Sequence, residues 1–173
     1  LTSSLATHCR YCWCSGLESG GLLSHMVKGE RKVHMQSVQE FTVTKEHYTM
    51  QAALFVIAKD VLAVITGGDH PHIGDVTAVA KGEEPQTVRY PSHDGRFHKD
   101  DFLSERLVKK VAPLVPGSLT VLAGVHVDHI TKTQLIQAGP MVDELAQQVA
   151  AWLLAHPIQF SDAQYYGDDE QPS

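Results

Sequence analysis

Residues 50–58 and 61–66 are two apolar, β-branched runs separated only by Lys59-Asp60, and no other feature of the chain restricts its fold as strongly. Two polar residues between such runs read as a tight hairpin, which pairs the runs antiparallel and commits the chain to a sheet core. Residues 41–45, 76–80, 87–90 and 119–125 have the same strand character, with Gly67-Gly68 and Pro91 as punctuation. Between them Leu103, Leu107 and Val111 recur every four residues behind Asp100 and Asp101, with Lys109 and Lys110 at the far end. Charges placed this way complement a helix dipole and predict a helix over 101–111.

Thr131-x-x-Gln134 resembles a capping box opening a short helix that Gly139 closes. Pro140 then opens the next helix, 141–155, whose Val142, Leu145, Val149, Trp152 and Leu153 share one face before His156-Pro157 stops it. The expected fold is α+β: an antiparallel or mixed β-sheet of about five to six strands, with two main helices packed on one face. The opposite face is left for a partner.

At 173 residues the chain fits one domain. Residues 36–160 are expected to form it, with 161–173 as a polar C-terminal tail. Residues 1–35 read as a disordered leader, a tag or an upstream-translated segment. All three cysteines, Cys9, Cys12 and Cys14, fall there without the second half of a zinc knuckle. A body without cysteine fits a reducing, cytoplasmic compartment. A net charge of -6 opposes general attraction to nucleic-acid phosphates. The apolar runs are far shorter than the ~20 residues that a membrane helix needs.

Histidine is concentrated in three places. Pro91-Ser92-His93-Asp94-Gly95-Arg96-Phe97-His98-Lys99-Asp100 packs acids, bases and imidazoles around one glycine, while His70-Pro71-His72-Ile73-Gly74-Asp75 and His126-Val127-Asp128-His129 each follow a strand. Strand ends carrying imidazoles are expected to meet, bringing His72, His93, His98 and His126 together. His70-x-His72 puts both rings on one side of an extended segment. With His93, His98 or His126 it makes a three-histidine metal site that leaves a position open for water, and Asp75 or Asp94 beside it as base. The plainer readings are a hairpin turn at Asp94-Gly95, a satisfied core histidine at His126, surface histidines at His47, His129 and His156, and a solvated helix end at Lys109-Lys110. Neither HExxH nor GxSxG occurs.

The strings Gly67-Gly68, Pro71-His72-Ile73-Gly74-Asp75-Val76, Pro91 through Asp100, Ser104-Glu105-Arg106 and Ala123-Gly124-Val125-His126-Val127 carry a resemblance. Together with Tyr166-Gly167 and Asp169-Glu170-Gln171-Pro172 they are similar to the small D subunit of the gallate and hydroxyarylic acid decarboxylases, over residues 48–172. In those systems a UbiD-type large subunit decarboxylates with prenylated FMN, which a separate flavin prenyltransferase makes. The resemblance implies a non-catalytic accessory subunit that binds prenylated FMN and passes it to, or stabilises it for, the decarboxylase. Its implied partners are the large subunit and the prenyltransferase, and a homodimer or larger assembly is expected.

The residues can be set beside that implication. Prenylated FMN brings a phosphate, a ribityl chain and a reactive ring, and a carrier for it needs cations, backbone amides and apolar walls. Arg96, Lys99 and Arg106 are candidates for the phosphate, the start of the 101–111 helix offers N–H groups, and Gly74 and Gly95 permit close backbone approach. The expected cofactor-binding set is His72, Gly74, Asp75, His93, Asp94, Arg96, His98, Lys99, Arg106 and His126. A divalent metal is the second expectation, on candidates His70, His72, His93, His98 and His126. Two other classes stay open: a small metal-dependent enzyme, and a purely structural decarboxylase subunit.

Overall fold

The computed structural model describes residues 35–92 and 95–167, without the side chains of 35–38. Expectations for residues 1–34, for His93 and Asp94, and for the last six residues lie outside that range. The sheet opens with β1 (Met35–Lys45), β2 (Tyr48–Ile57) and β3 (Asp60–Gly68), an antiparallel meander. Glu46 and His47, both at positive φ, make its first turn, and Ala58 at φ 52° begins the second. The second corner therefore lies on Ala58-Lys59, one residue before the expected pair. Gly117 N–H donates to the Lys59 carbonyl and Ser118 N–H to Asp60 Oδ1, which ties this corner to the start of a distant strand.

Next come β4 (Asp75–Val79) and β5 (Gln86–Arg89), an antiparallel pair, and then helix α1 (Asp101–Val111) with a 3-10 turn over Ala112–Leu114. Strand β6 (Leu119–His126) inserts between the two halves, parallel to β3 and antiparallel to β4. The sheet is mixed, six-stranded, in the order β1-β2-β3-β6-β4-β5.

Strand alternation decides which side chains form the core. Met50, Ala52 and Leu54, Val61, Ala63 and Ile65, and Leu119, Val121 and Ala123 are all buried. They pack with Leu103, Leu107 and Val111 of α1 and with Met141, Leu145 and Val149 of the last helix, α2 (Lys132–Ala155). Burying each of the larger side chains among them, Val, Leu, Ile or Met, is worth about 1.5–3 kcal/mol.

The predicted capping box is present: Gln134 N–H donates to Thr131 Oγ1 at 3.2 Å and Thr131 N–H to Gln134 Oε1 at 3.0 Å. The expected break at Gly139-Pro140 is absent, and one helix runs through both residues. Pro140 has no N–H to give the Ile136 carbonyl. Ile136 and Pro140 both lie on the exposed side of α2, where water can take that carbonyl. Gly139 faces α1, where a Cβ would stand 3.6 Å from Arg106 Cζ. Among the described residues, no helix is long and apolar enough to cross a membrane.

Candidate functional site

Parallel strands β3 and β6 end on the same edge of the sheet, and beyond their carboxyl ends lies a cavity of about 440 Å³. Its walls come from the start of β2 (Tyr48, Met50), the β3–β4 loop (His72), the segment before α1 (Arg96 through Asp100), the end of β6 and the first turns of α2. The volume falls in the range of roughly 300–1,000 Å³ usual for small-molecule sites. A smaller cleft of about 270 Å³, mainly apolar, lies between the β4–β5 turn and the end of α1.

Backbone bonds fix the loops around the larger cavity. Gly74 N–H donates to the Ala123 carbonyl and Tyr90 N–H to the Gly74 carbonyl, which prolongs the sheet into the 72–74 segment. Gly124 makes that possible, because a Cβ there would overlap the His72 carbonyl. On the other side, Pro91 pairs with Phe97, Gly95 takes φ +77°, and His98 N–H donates to the Tyr90 carbonyl. His98 is thereby held opposite His72.

The two rings and one acid make a tight group. His72 Nε2 lies 3.0 Å from His98 Nδ1, and Asp100 Oδ2 lies 3.4 Å from the first and 3.5 Å from the second. Asp100 is buried, and its other oxygen accepts from Val125 N–H at 3.0 Å. A second group stands on the rim, where the exposed Asp128 carboxylate reaches His70 Nε2 at 3.1 Å and His126 Nε2 at 3.2 Å. The hydrogen bond from His70, and then that from His126, holds Asp128 below the usual carboxylate range.

The expected site residues separate accordingly. His72, Arg96, His98, Lys99 and His126 line the cavity, and Gly74 backs onto it. Asp75 does not reach the cavity: it is fully buried on β4 beneath α1. Its Oδ2 accepts from Ser104 and Thr77 while Oδ1 has no hydrogen-bond partner among the described residues, and burial, aided by the charges of Asp100 and Asp101, pushes its pKa up to about 6. Arg106 is also elsewhere, gripping Asp143 of α2 with two bonds at 3.0 and 2.7 Å. His70 sits on the rim with Asp128.

Sequence reasoning counted Asp100 among the acids of the Pro91–Asp100 loop and at the start of α1 but left it out of the site, and it passed over the apolar wall of Phe97, Phe102, Ile130 and Leu135. The His98-x-Asp100 spacing was the available signal, because residues two apart in an extended segment point the same way.

Residues 44–154 match the family described as the prenylated flavin chaperone LpdD-like domain. Protein LpdD of Lactiplantibacillus plantarum is 53% identical over 132 residues, which span 76% of this chain and 97% of that protein. Among solved structures, a chaperone complex for yeast 20S proteasome assembly has a TM-score of 0.47 at 8% identity, over 68% of this chain and 97% of that one. That last likeness is too slight to bear on function.

Proposed function

The chain belongs to the family of prenylated flavin chaperone LpdD-like proteins, and from that premise we propose that its cavity binds prenylated FMN and releases it to a UbiD-type decarboxylase. One observation carries this reading: a single opening joins an exposed apolar wall to a cationic and imidazole-lined wall. Phe97 and Leu135 are 56% and 57% exposed, and Phe102 and Ile130 are exposed beside them. Large apolar side chains grouped around one mouth favour a ligand that covers them.

The residues present fit the group. Phe97, Phe102, Ile130 and Leu135 suit the faces of a fused ring with its added isoprenoid carbons, while Lys99 and Arg96 suit a phosphate. His98 and His126 offer ring nitrogens to the polar edge. When bound, the group supplies the reactive ring on which a decarboxylase depends. This chain's part is to hold the ring away from water and oxygen and to leave one side accessible for handover. The flavin prenyltransferase as donor, the UbiD-type subunit as acceptor, a cytoplasmic setting and assembly as a homodimer or larger complete the proposal.

Co-production with a flavin prenyltransferase and anaerobic purification test it. Flavin absorbance should co-elute with the protein, mass spectrometry should give the mass of prenylated FMN, and mixing with cofactor-free decarboxylase should restore decarboxylation. A colourless protein with no bound small molecule would overturn the reading.

A further inference from the structure

We propose that His72, His98 and Asp100 form a divalent metal site opening into the cavity, with coordination positions left for an oxygen donor. The donor atoms Nε2, Nδ1 and Oδ2 are 3.0, 3.4 and 3.5 Å apart. A tetrahedral ion with bonds of about 2.1 Å separates its ligands by roughly 3.4 Å, so the three atoms already outline one face of such a shell. The set differs from the three-histidine site read from sequence, because Asp100 takes the third place.

The arrangement of the three atoms points to the ion. His72 Nδ1 lies 3.1 Å from the His70 carbonyl, which only accepts, so this nitrogen carries a hydrogen. Nε2 is thereby the nitrogen left for a ligand bond, and it is turned toward His98 Nδ1. Asp100 Oδ2 stands within 3.5 Å of both ring nitrogens. A cation satisfies all three atoms at once.

The outer contacts are those of a metal site too. The His70 carbonyl fixes the ring of His72, and Val125 N–H fixes the Asp100 carboxylate through the oxygen turned away from the group. Two imidazoles and a carboxylate suit a borderline ion such as zinc, manganese, iron or cobalt. His72, His98 and Asp100 all line the cavity, so the open positions face whatever it holds. That an oxygen of the flavin takes one of them rests on the preceding proposal, whereas ion binding does not.

The test therefore uses metal alone. Chelator-treated, flavin-free protein is titrated with cobalt(II) and followed by visible absorption, metal content and thermal midpoint. The expected result is one ion per chain, d–d bands of low coordination number and a raised midpoint. His72→Ala, His98→Gln and Asp100→Asn should each weaken uptake by at least about tenfold, while His156→Ala, at the end of α2 and outside the cavity, should bind as the parent does. His98→Gln, in a loop, keeps the test decisive should the buried Asp100→Asn variant fail to fold. No uptake by the parent protein, or uptake lost in His156→Ala and kept in His72→Ala, would overturn the site. Neither result would touch flavin binding, which is read from the co-purified ligand.

Discussion

Gly74 backs directly onto Asp100: a Cβ at position 74 would overlap the carboxylate Oδ2 and come within 2.9 Å of the His98 Cβ. The only residue that fits is the one without a side chain. Gly74→Ala should push Asp100 off the Val125 amide and cost about 1–3 kcal/mol, as overpacking does. A lowered urea midpoint together with loss of co-purified flavin is the expected pair of results; an unchanged midpoint would mean that the 72–74 segment yields freely.

Asp75 sets a stability window in pH. An unfolded aspartate ionises near 3.9, whereas burial raises this one to about 6. Between those values the folded protein holds a proton that the unfolded chain has released, so this group's contribution falls as pH rises through the window and is constant outside it. The difference between pH 4 and pH 7 is on the order of 2–3 kcal/mol. The unfolding free energy of the parent minus that of Asp75→Asn, each from urea titration, should fall by that amount from pH 4 to 7. A flat difference would show that Asp75 is not held in its neutral form.

The cations divide by role. Lys99 lines the cavity, so Lys99→Ala should weaken prenylated FMN by about tenfold, or 1.4 kcal/mol. Arg106 spans α1 and α2 through Asp143, a half-exposed pair worth at most about 1 kcal/mol. Arg106→Ala should leave flavin affinity unchanged and lower the thermal midpoint slightly. Equal loss of affinity in both variants would return Arg106 to the site.

Much of this was legible in the chain. Strand identities, α1 and the Thr131–Gln134 cap follow from alternation, four-residue spacing and side-chain chemistry that act locally. Strand order does not, because nothing local states that β6 lies between β3 and β4. The Glu46-His47 turn was obscured by residues that rarely take positive φ, and Gly139-Pro140 by two helix breakers that tertiary contacts override. In the site, His72 and His98 were legible as residue types in odd strings. Arg106 was set among the phosphate ligands because its partner Asp143 lies 37 residues away.

Pro140 offers a direct check on that override. Pro140→Ala restores an N–H for the Ile136 carbonyl in an exposed stretch of α2, and should stabilise the protein by up to about 3 kcal/mol. A lowered thermal midpoint would show instead that the packing of α2 on α1 relies on a bend at this residue.

The insertion of β6 has a consequence for how the protein comes into being. Asp60 at the start of β3 meets Ser118 at the threshold of β6 across 58 positions of chain, and β4 finds its place only against that same late strand. The meander and the β4–β5 pair can close early, each from neighbours in sequence, yet they remain two separate pieces until β6 arrives and joins them. Closing so long a loop carries an entropic cost that the early hairpins do not. Since His72 and His98 precede β6 while Val125 and His126 belong to its last residues, the binding site comes together in that same step. Until β6 is in place the cavity therefore lacks the wall that Val125, His126 and Val127 supply.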